Sequence, residues 1–414
     1  MYPILLLATY LISSIVFGLP TRVRYDSHKL IDLKRSPVTV KFVQERGYDI
    51  WKNSGQELHV RVISNELDLF KRFEYKVLIE DIQSKIDHEA LLLRAQLFKR
   101  AVSDWHSSYH TYEDIVEWLD TLANTYPTLV KLVPSIGESI EGRDIPALHL
   151  TSSIGSNKKQ FWFQGLQHAR EWISGSSMQY LADSLVSEYP KDSSIKWILD
   201  NFEIIIIPVT NPDGYSYSWT TDRLWRKNRR LIYNNTYGVD LNRNWPDHWD
   251  QGGSSHNPQD DTYLGASPGS EPEVASLMKY YLQQPRIVGA IDFHAYGELI
   301  MWPYGWTQQK SPWDSAFTAL GKGMKAAVTK INPENHYVPQ MDATLYVASG
   351  GADDWFFGEQ VTKKQGFITA GMTIELSPSS SSPGFIIPPE RIIPVGKEVT
   401  AMVKYFIEHI DKTF

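Results

Sequence analysis

"FEIIIIPVTN", residues 202–211, decides the fold class. After Glu203, every position from Ile204 to Val209 is apolar. A strand with one face in water alternates apolar and polar residues. An unbroken apolar, β-branched run suits a strand covered on both faces of a sheet. Further strands read outward from it in "IPALHLT" (145–151), "KQFWFQGL" (159–166) and "RIVGAIDFHA" (286–295). Between them, "YEDIVEWLDTLANTY" (112–126), "WISGSSMQYLADSLVSEY" (172–189) and "EPEVASLMKYYLQQP" (271–285) carry helical spacing. Strands alternating with helices imply a layered α/β architecture. No internal repeat is visible. The only low-complexity piece is "SPSSSSPG" (377–384), a loop by composition.

The first hundred residues follow another pattern. "LHVRVIS" (58–64) alternates like a half-buried strand, and "YKVLIEDIQSKIDHEALLL" (75–93) reads as a strand and then a helix. This is a small α+β unit. It ends at the dibasic pair Lys99-Arg100, before a new run of turn and aromatic residues. At the N-terminus an apolar run from Ile4 to Phe17 precedes Gly18, with Val16 two positions earlier, as in a secretory signal peptide. The run is short for a membrane span, and no Lys or Arg lies near Met1. The expected organisation is a signal peptide over 1–18, an N-terminal domain over 19–100 and a main domain over 101–414.

The 414 residues are 42% hydrophobic and 21% charged, an ordinary globular balance. Lys and Arg number 41 against 48 Asp and Glu, a net charge of −7, so no basic excess points to nucleic acid. Cys is absent, which excludes disulfides, thiol catalysis and Cys-ligated zinc. Asn234-Asn235-Thr236 is a glycosylation acceptor triplet, in keeping with secretion; a vacuole or lysosome is the alternative destination. Nothing suggests more than a monomer.

"QGLQHAREWISG" (164–175) places His168 and Glu171 three apart, where a strand ends and a helix begins. Hydrolytic zinc sites use three protein ligands and leave one position open. With no Cys, His and carboxylate are the strong ligands available. His294 in "AIDFHAYGE" ends another apolar strand and is the best third candidate. Ligands at the carboxyl ends of strands converge in the crevice where open α/β sheets keep their sites. The spacing alone leaves a second reading open, a solvated first helical turn and a structural histidine.

"HAREW" (168–172), "NPDGY" (211–215), "RLWRKNRR" (223–230), "GVDLNRNW" (238–245), "FHAYGELIMWPYG" (293–305), "YVASGGADDW" (346–355) and "MTIELSP" (372–378) occur in that order. Together they resemble the A/B-type zinc metallocarboxypeptidases. So do "YHTYEDI" (109–115) and "IGESIEGRDI" (136–145). "GYDIWKNSGQELHVRV" (47–62) and "VLIEDIQSKIDHE" (77–89) resemble that family's activation domain. The resemblance covers about residues 40 to 410. It implies a mixed-sheet α/β/α catalytic domain preceded by a ferredoxin-like propeptide domain. It also implies a zymogen cut by a processing protease at Lys99-Arg100, and peptide or protein C-termini as substrates.

The resemblance implies one Zn2+ per chain, held by His168, Glu171 and His294. Asp240 matches the carboxylate that orients the first histidine, Glu375 the general base and Arg226 the group beside the developing oxyanion. Asn242, Arg243 and Tyr346 match the residues that read the terminal carboxylate, and Arg170 and Tyr296 further cleft residues. Asp353 matches the pocket floor, where an acid goes with C-terminal Lys or Arg. Asp354 matches a position common to both specificities. Relatives lacking the glutamate at the position of Glu375 are inactive, so an inactive peptide-binding relative is the alternative. An amidohydrolase with the same zinc set is a third reading, which the activation-like domain and the carboxylate-reading cluster disfavour. The chain departs from the family at "ELSPSSSSPGF" (375–385), where Leu-Arg-Asp-Thr-Gly usually follows the glutamate. Ser377 stands in place of an arginine, the loop is one residue longer, and the position of Phe385 at the cleft rim is left open.

Overall fold

The computed structural model describes residues 22–97, 105–153, 158–379 and 384–413. The expected signal segment and the Lys99-Arg100 pair lie outside the described residues.

The N-terminal domain runs β1 (His28–Lys34), α1 (Pro37–Gln44), β2 (Ile50–Ser54), β3 (Glu57–Ile63), β4 (Tyr75–Ile79) and α2 (Ile82–Leu97). Its sheet order is β2-β3-β1-β4, antiparallel throughout, the ferredoxin-like order. The crossover from β3 to β4 is a 3₁₀ turn, Ser64–Phe70, rather than a full α-helix. α1 starts where Ser36 and Thr39 form a reciprocal capping box with Pro37 in the first turn. Ile31, Leu33, Leu58, Val60 and Val62 on one sheet face pack with Phe42 and Phe70 into a separate small core. Period-two alternation turns Asp32, Glu57, His59 and Arg61 to the opposite face, toward the main domain.

The main domain continues with α3 (Tyr112–Thr125), β5 (Val130–Val133), β6 (Ala147–Leu150), β7 (Lys159–Gly165), α4 (Trp172–Ser187), α5 (Ser193–Asn201), β8 (Phe202–Ile207) and α6 (Pro212–Thr220). There follow β9 (Leu231–Tyr233), β10 (Thr236–Tyr237), α7 (Pro272–Gln283), β11 (Ile287–Ala295), β12 (Leu299–Trp302), α8 (Asp314–Thr329) and β13 (Val338–Met341). The chain closes with α9 (Ala352–Phe357), α10 (Glu359–Gln365), β14 (Ala370–Leu376) and α11 (Ile392–Thr413). Eight strands form one mixed sheet in the order β13-β12-β14-β11-β7-β8-β6-β5. The four central strands, β14, β11, β7 and β8, are parallel. Ile204 to Ile207 are wholly buried, as the opening stretch requires. Each layer has its own core: α4, α8 and α11 cover one face, with Met178, Met324 and Phe406 inside, and α7 and α9 the other, with Trp162, Tyr281 and Trp355.

The parallel strands all point their carboxyl ends the same way. β7 leads into His168 and Glu171, and β8 into the Asn211-capped start of α6. β11 ends at His294 and β14 at Glu375, and the sheet register sets these two residues side by side. Among the described residues, no helix is long and apolar enough to cross a membrane.

Candidate active site

His168, Glu171 and His294 converge and are buried. His168 Nδ1 lies 2.8 Å from Glu171 Oε1 and 3.0 Å from His294 Nδ1, which is 3.1 Å from Glu171 Oε2. The outer nitrogens meet carboxylates. His168 Nε2 is 3.1 Å from Asp240 Oδ1, and His294 Nε2 is 2.6 Å from Asp292 Oδ2. With Nε2–H donating to these acids, each Nδ1 presents a lone pair to the centre. Two lone pairs and a carboxylate facing one another repel unless a cation lies among them. The His₂Glu set, with each ring fixed by an outer carboxylate, is the donor chemistry of a catalytic zinc site. The residues fit one zinc ion.

Arg226 and Asp240 brace this centre. Arg226 Nε and Nη2 donate to Asp240 Oδ2 at 3.2 and 2.9 Å, while Nη1 reaches within 3.3 Å of His168 Nδ1. Burial alone would favour protonated Asp240, but Arg226 and then His168 hold it well below the usual carboxylate range. Arg226 therefore points into the centre rather than into solvent. Glu375 is partly buried, and its Oε2 has no hydrogen-bond partner among the described residues. Burial first, then the neighbouring Glu171 charge, push it up to about 8. A dication in the centre would draw it back down.

The remaining expected residues gather around this centre. Arg243 Nη2 donates to Tyr346 Oη at 3.2 Å, and Asn242 Oδ1 accepts Ala352 N–H at 2.9 Å, at the head of α9. Asp353 follows on that helix, buried, with Oδ2 lacking a hydrogen-bond partner among the described residues. Burial pushes Asp342 up to about 6; burial, reinforced by Asp342, pushes Asp353 well above its usual range. Asp354 instead accepts the backbone N–H groups of Gly305 and Trp306, both at 3.0 Å through Oδ2, which is a structural use. Arg170 and Tyr296 lie at the rim, both covered by the N-terminal domain. Arg170 Nη1 donates to Asp49 Oδ1 at 3.0 Å, and Tyr296 Oη lies 3.0 Å from His59 Nδ1. Phe385 is buried between Trp51, at 5.0 Å, and the Arg170 guanidinium, at 4.2 Å. A cavity of ≈ 660 Å³ between the domains is lined by Asp49, Trp51, Arg170, Arg226, Tyr296 and Glu375, among others.

A family model described as "Zinc carboxypeptidase" matches residues 115–402. The chain belongs to the zinc carboxypeptidase family. A metallocarboxypeptidase A of Trichophyton equinum is 34% identical over 394 residues, covering 91% of this chain and 92% of the relative. Carboxypeptidase A1 of Rattus norvegicus is 32% identical over 376 residues, covering 88% and 87%. Among solved structures, carboxypeptidase A from Helicoverpa armigera is similar with a TM-score of 0.83 at 28% identity, covering 94% of this chain and 98% of that one. Thrombin activatable fibrinolysis inhibitor is similar with a TM-score of 0.83 at 27% identity, covering 94% and 100%. This zinc carboxypeptidase is thus a hydrolase with a His168-Glu171-His294 zinc centre.

Sequence reasoning missed Asp292. Its signal was the Asp-x-His spacing of "DFH" (292–294), which on a strand sets both side chains on one face. It also missed Asp342, and the N-terminal-domain residues Asp49 and His59, which make contacts across a domain boundary.

Proposed function

We propose that this carboxypeptidase is made as a secreted zymogen and, once cut after Arg100, prefers peptides ending in Lys or Arg. The observation that carries the preference is the buried Asp353 carboxylate, with an oxygen left unpartnered and a second acid, Asp342, raising its proton affinity. Its charged form is stabilised when a cationic side chain enters beside it and stays costly beside an apolar one, so it selects Lys and Arg over apolar residues.

In the proposed mechanism Asn242, Arg243 and Tyr346 grip the terminal carboxylate, with the guanidinium as a two-pronged donor. Bound zinc supplies Lewis acidity at the scissile carbonyl and makes water acidic enough to ionise near neutral pH. Glu375 takes the proton of the attacking water and delivers it to the leaving amine. Arg226, already fixed by Asp240, offers positive charge where the oxyanion develops.

Zymogen control is supported by the contacts of the N-terminal domain on Arg170, Tyr296 and Phe385. Secretion is supported by the apolar N-terminal run and by the exposed position of Asn234 at the β9–β10 turn. The test follows release of C-terminal residues from peptides ending in Arg, Lys, Phe or Leu, using protein cut after Arg100, with zinc or a chelator, and Glu375→Gln as control. Zinc-dependent release of Arg and Lys is expected. Release of Phe or Leu instead would keep the mechanism and sink the role of Asp353.

A further inference from the structure

The face that the N-terminal sheet turns toward the main domain carries a second cluster of ligand-type residues. Asp32 on β1 pairs in register with His59 on β3, and Glu57 precedes His59 by two positions on the same face. His59 is wholly buried. Its Nδ1 lies 3.0 Å from Tyr296 Oη. Its Nε2 has no hydrogen-bond partner among the described residues and is aimed between Asp32 Oδ1, at 3.9 Å, and Glu57 Oε1, at 3.8 Å.

Those separations are too long for hydrogen bonds. They are close to the spacing of donors around one ion with bonds of about 2.0–2.2 Å. A buried imidazole nitrogen without a partner is costly, so it calls for an explanation. When Nδ1–H donates to Tyr296, Nε2 is a lone pair facing two carboxylates, an arrangement that a bound metal cation satisfies. Lys52 Nζ lies 3.0 Å from Glu57 Oε2 and Lys76 Nζ 3.3 Å from Asp32 Oδ2, each on the carboxylate oxygen turned away from His59. Asp32 Oδ1 also accepts Leu58 N–H at 3.3 Å. The lysines offset the acidic charge, so the cluster should bind metal more weakly than the catalytic centre. Imidazole with two carboxylates suits zinc.

We propose that Asp32, Glu57 and His59 form a second zinc site, in the N-terminal domain, whose occupancy holds His59 Nδ1–H on Tyr296. Zinc and the docked domain then tighten one another by the same factor, about tenfold at the low end of effects seen for outer partners of metal ligands.

The test uses full-length, uncut protein, stripped with a chelator, titrated with Zn2+ alone and assayed for bound metal by mass spectrometry. Wild type should take up two equivalents, the second more weakly. His59→Gln and Asp32→Asn should lose only the weaker one, and Glu171→Gln only the tighter one, with circular dichroism unchanged. Tyr296→Phe should weaken the second equivalent about tenfold. A single equivalent in wild type that survives in His59→Gln and Asp32→Asn and disappears in Glu171→Gln would overturn the proposal while leaving the catalytic centre intact. Glu57→Gln gives the same decision should His59→Gln fail to fold.

Discussion

Asp49→Asn should loosen the N-terminal domain by a calculable amount. Asp49 is almost fully buried and holds three groups: Arg170 Nη1 at 3.0 Å, Arg61 Nε at 2.9 Å and Trp51 Nε1 at 2.8 Å. Arg61 and Trp51 belong to the same domain and stay with Asp49 after release. Only the Arg170 bond crosses the boundary, so it alone contributes to docking. Removing the charge from one partner of a buried, hydrogen-bonded pair costs about 2–5 kcal/mol. The low end applies, because asparagine still accepts one hydrogen bond and Arg170 keeps Asp261 Oδ2 at 3.4 Å and Leu224 O at 3.4 Å. About 2–3 kcal/mol corresponds to roughly 30- to 150-fold weaker docking. If uncut protein turns over only when the domain swings clear, its residual activity should rise by that factor until the open form dominates. The assay compares hydrolysis of a Lys-ending peptide by uncut wild type and uncut Asp49→Asn, both carrying Arg100→Gln to prevent cleavage. A folded Asp49→Asn protein with unchanged residual activity would refute the reasoning.

The same contact fixes a pH dependence. Burial by itself raises the Asp49 carboxyl, but Arg170 and Arg61 outweigh it and hold it below its ordinary range. A group with a depressed docked pKa strengthens docking above its undocked pKa and loses that contribution as pH falls through the docked value. The undocked value is at or below about 4. Docking should therefore be flat with pH above about 4 and weaken below it. Gel filtration of the cut but unseparated protein checks this, and Asp49→Asn should flatten the acid limb.

Glu375→Gln should lower kcat by roughly 10²- to 10⁴-fold with zinc content unchanged, measured by steady-state kinetics beside metal analysis. Asp240→Asn should weaken zinc about 10- to 100-fold in competition with a chelator, because His168 loses the carboxylate that fixes its tautomer. Asp353→Leu should move the preference from Lys and Arg to apolar residues, read as kcat/KM over a peptide set. Equal losses for all C-terminal residues would assign Asp353 a structural role.

The central sheet was legible because its strands are covered on both faces. "FEIIIIPVTN" has one interpretation at that length, and β7 and β11 follow the same rule. The short strands β12 and β13 were not read out, since four residues under tertiary packing carry little periodic signal. His168, Glu171 and His294 were visible as residue types at suggestive positions; their convergence depends on β7 and β11 being adjacent, which periodicity does not encode. The loop after Glu375 departs from the family pattern, and the sequence does not show what its residues contact. In the structure Ser377 Oγ donates to Glu298 Oε1 at 3.0 Å and accepts from Arg391 Nη2 at 3.1 Å. The Arg391 guanidinium thus meets Ser377, the residue that stands in place of the family's arginine. No local pattern announces a contact made across 14 residues of sequence.

The contacts of the N-terminal domain fall on a particular subset of the cleft. Asp49 engages Arg170, His59 engages Tyr296, and Trp51 packs on Phe385. All three targets line the cavity at the cleft rim. The zinc ligands, by contrast, are held by Asp240, Asp292 and one another, all inside the main domain. If the domain inhibits as proposed, it does so by occupying the cleft over an already assembled centre. A centre assembled before cleavage needs no rearrangement to become active, so activation should be limited by departure of the domain. After cleavage at Lys99-Arg100, activity should appear with the rate of domain release, and Asp49→Asn should speed both together. Activity that lags behind release would show that the centre reorganises, and would place part of the inhibition in the catalytic residues themselves.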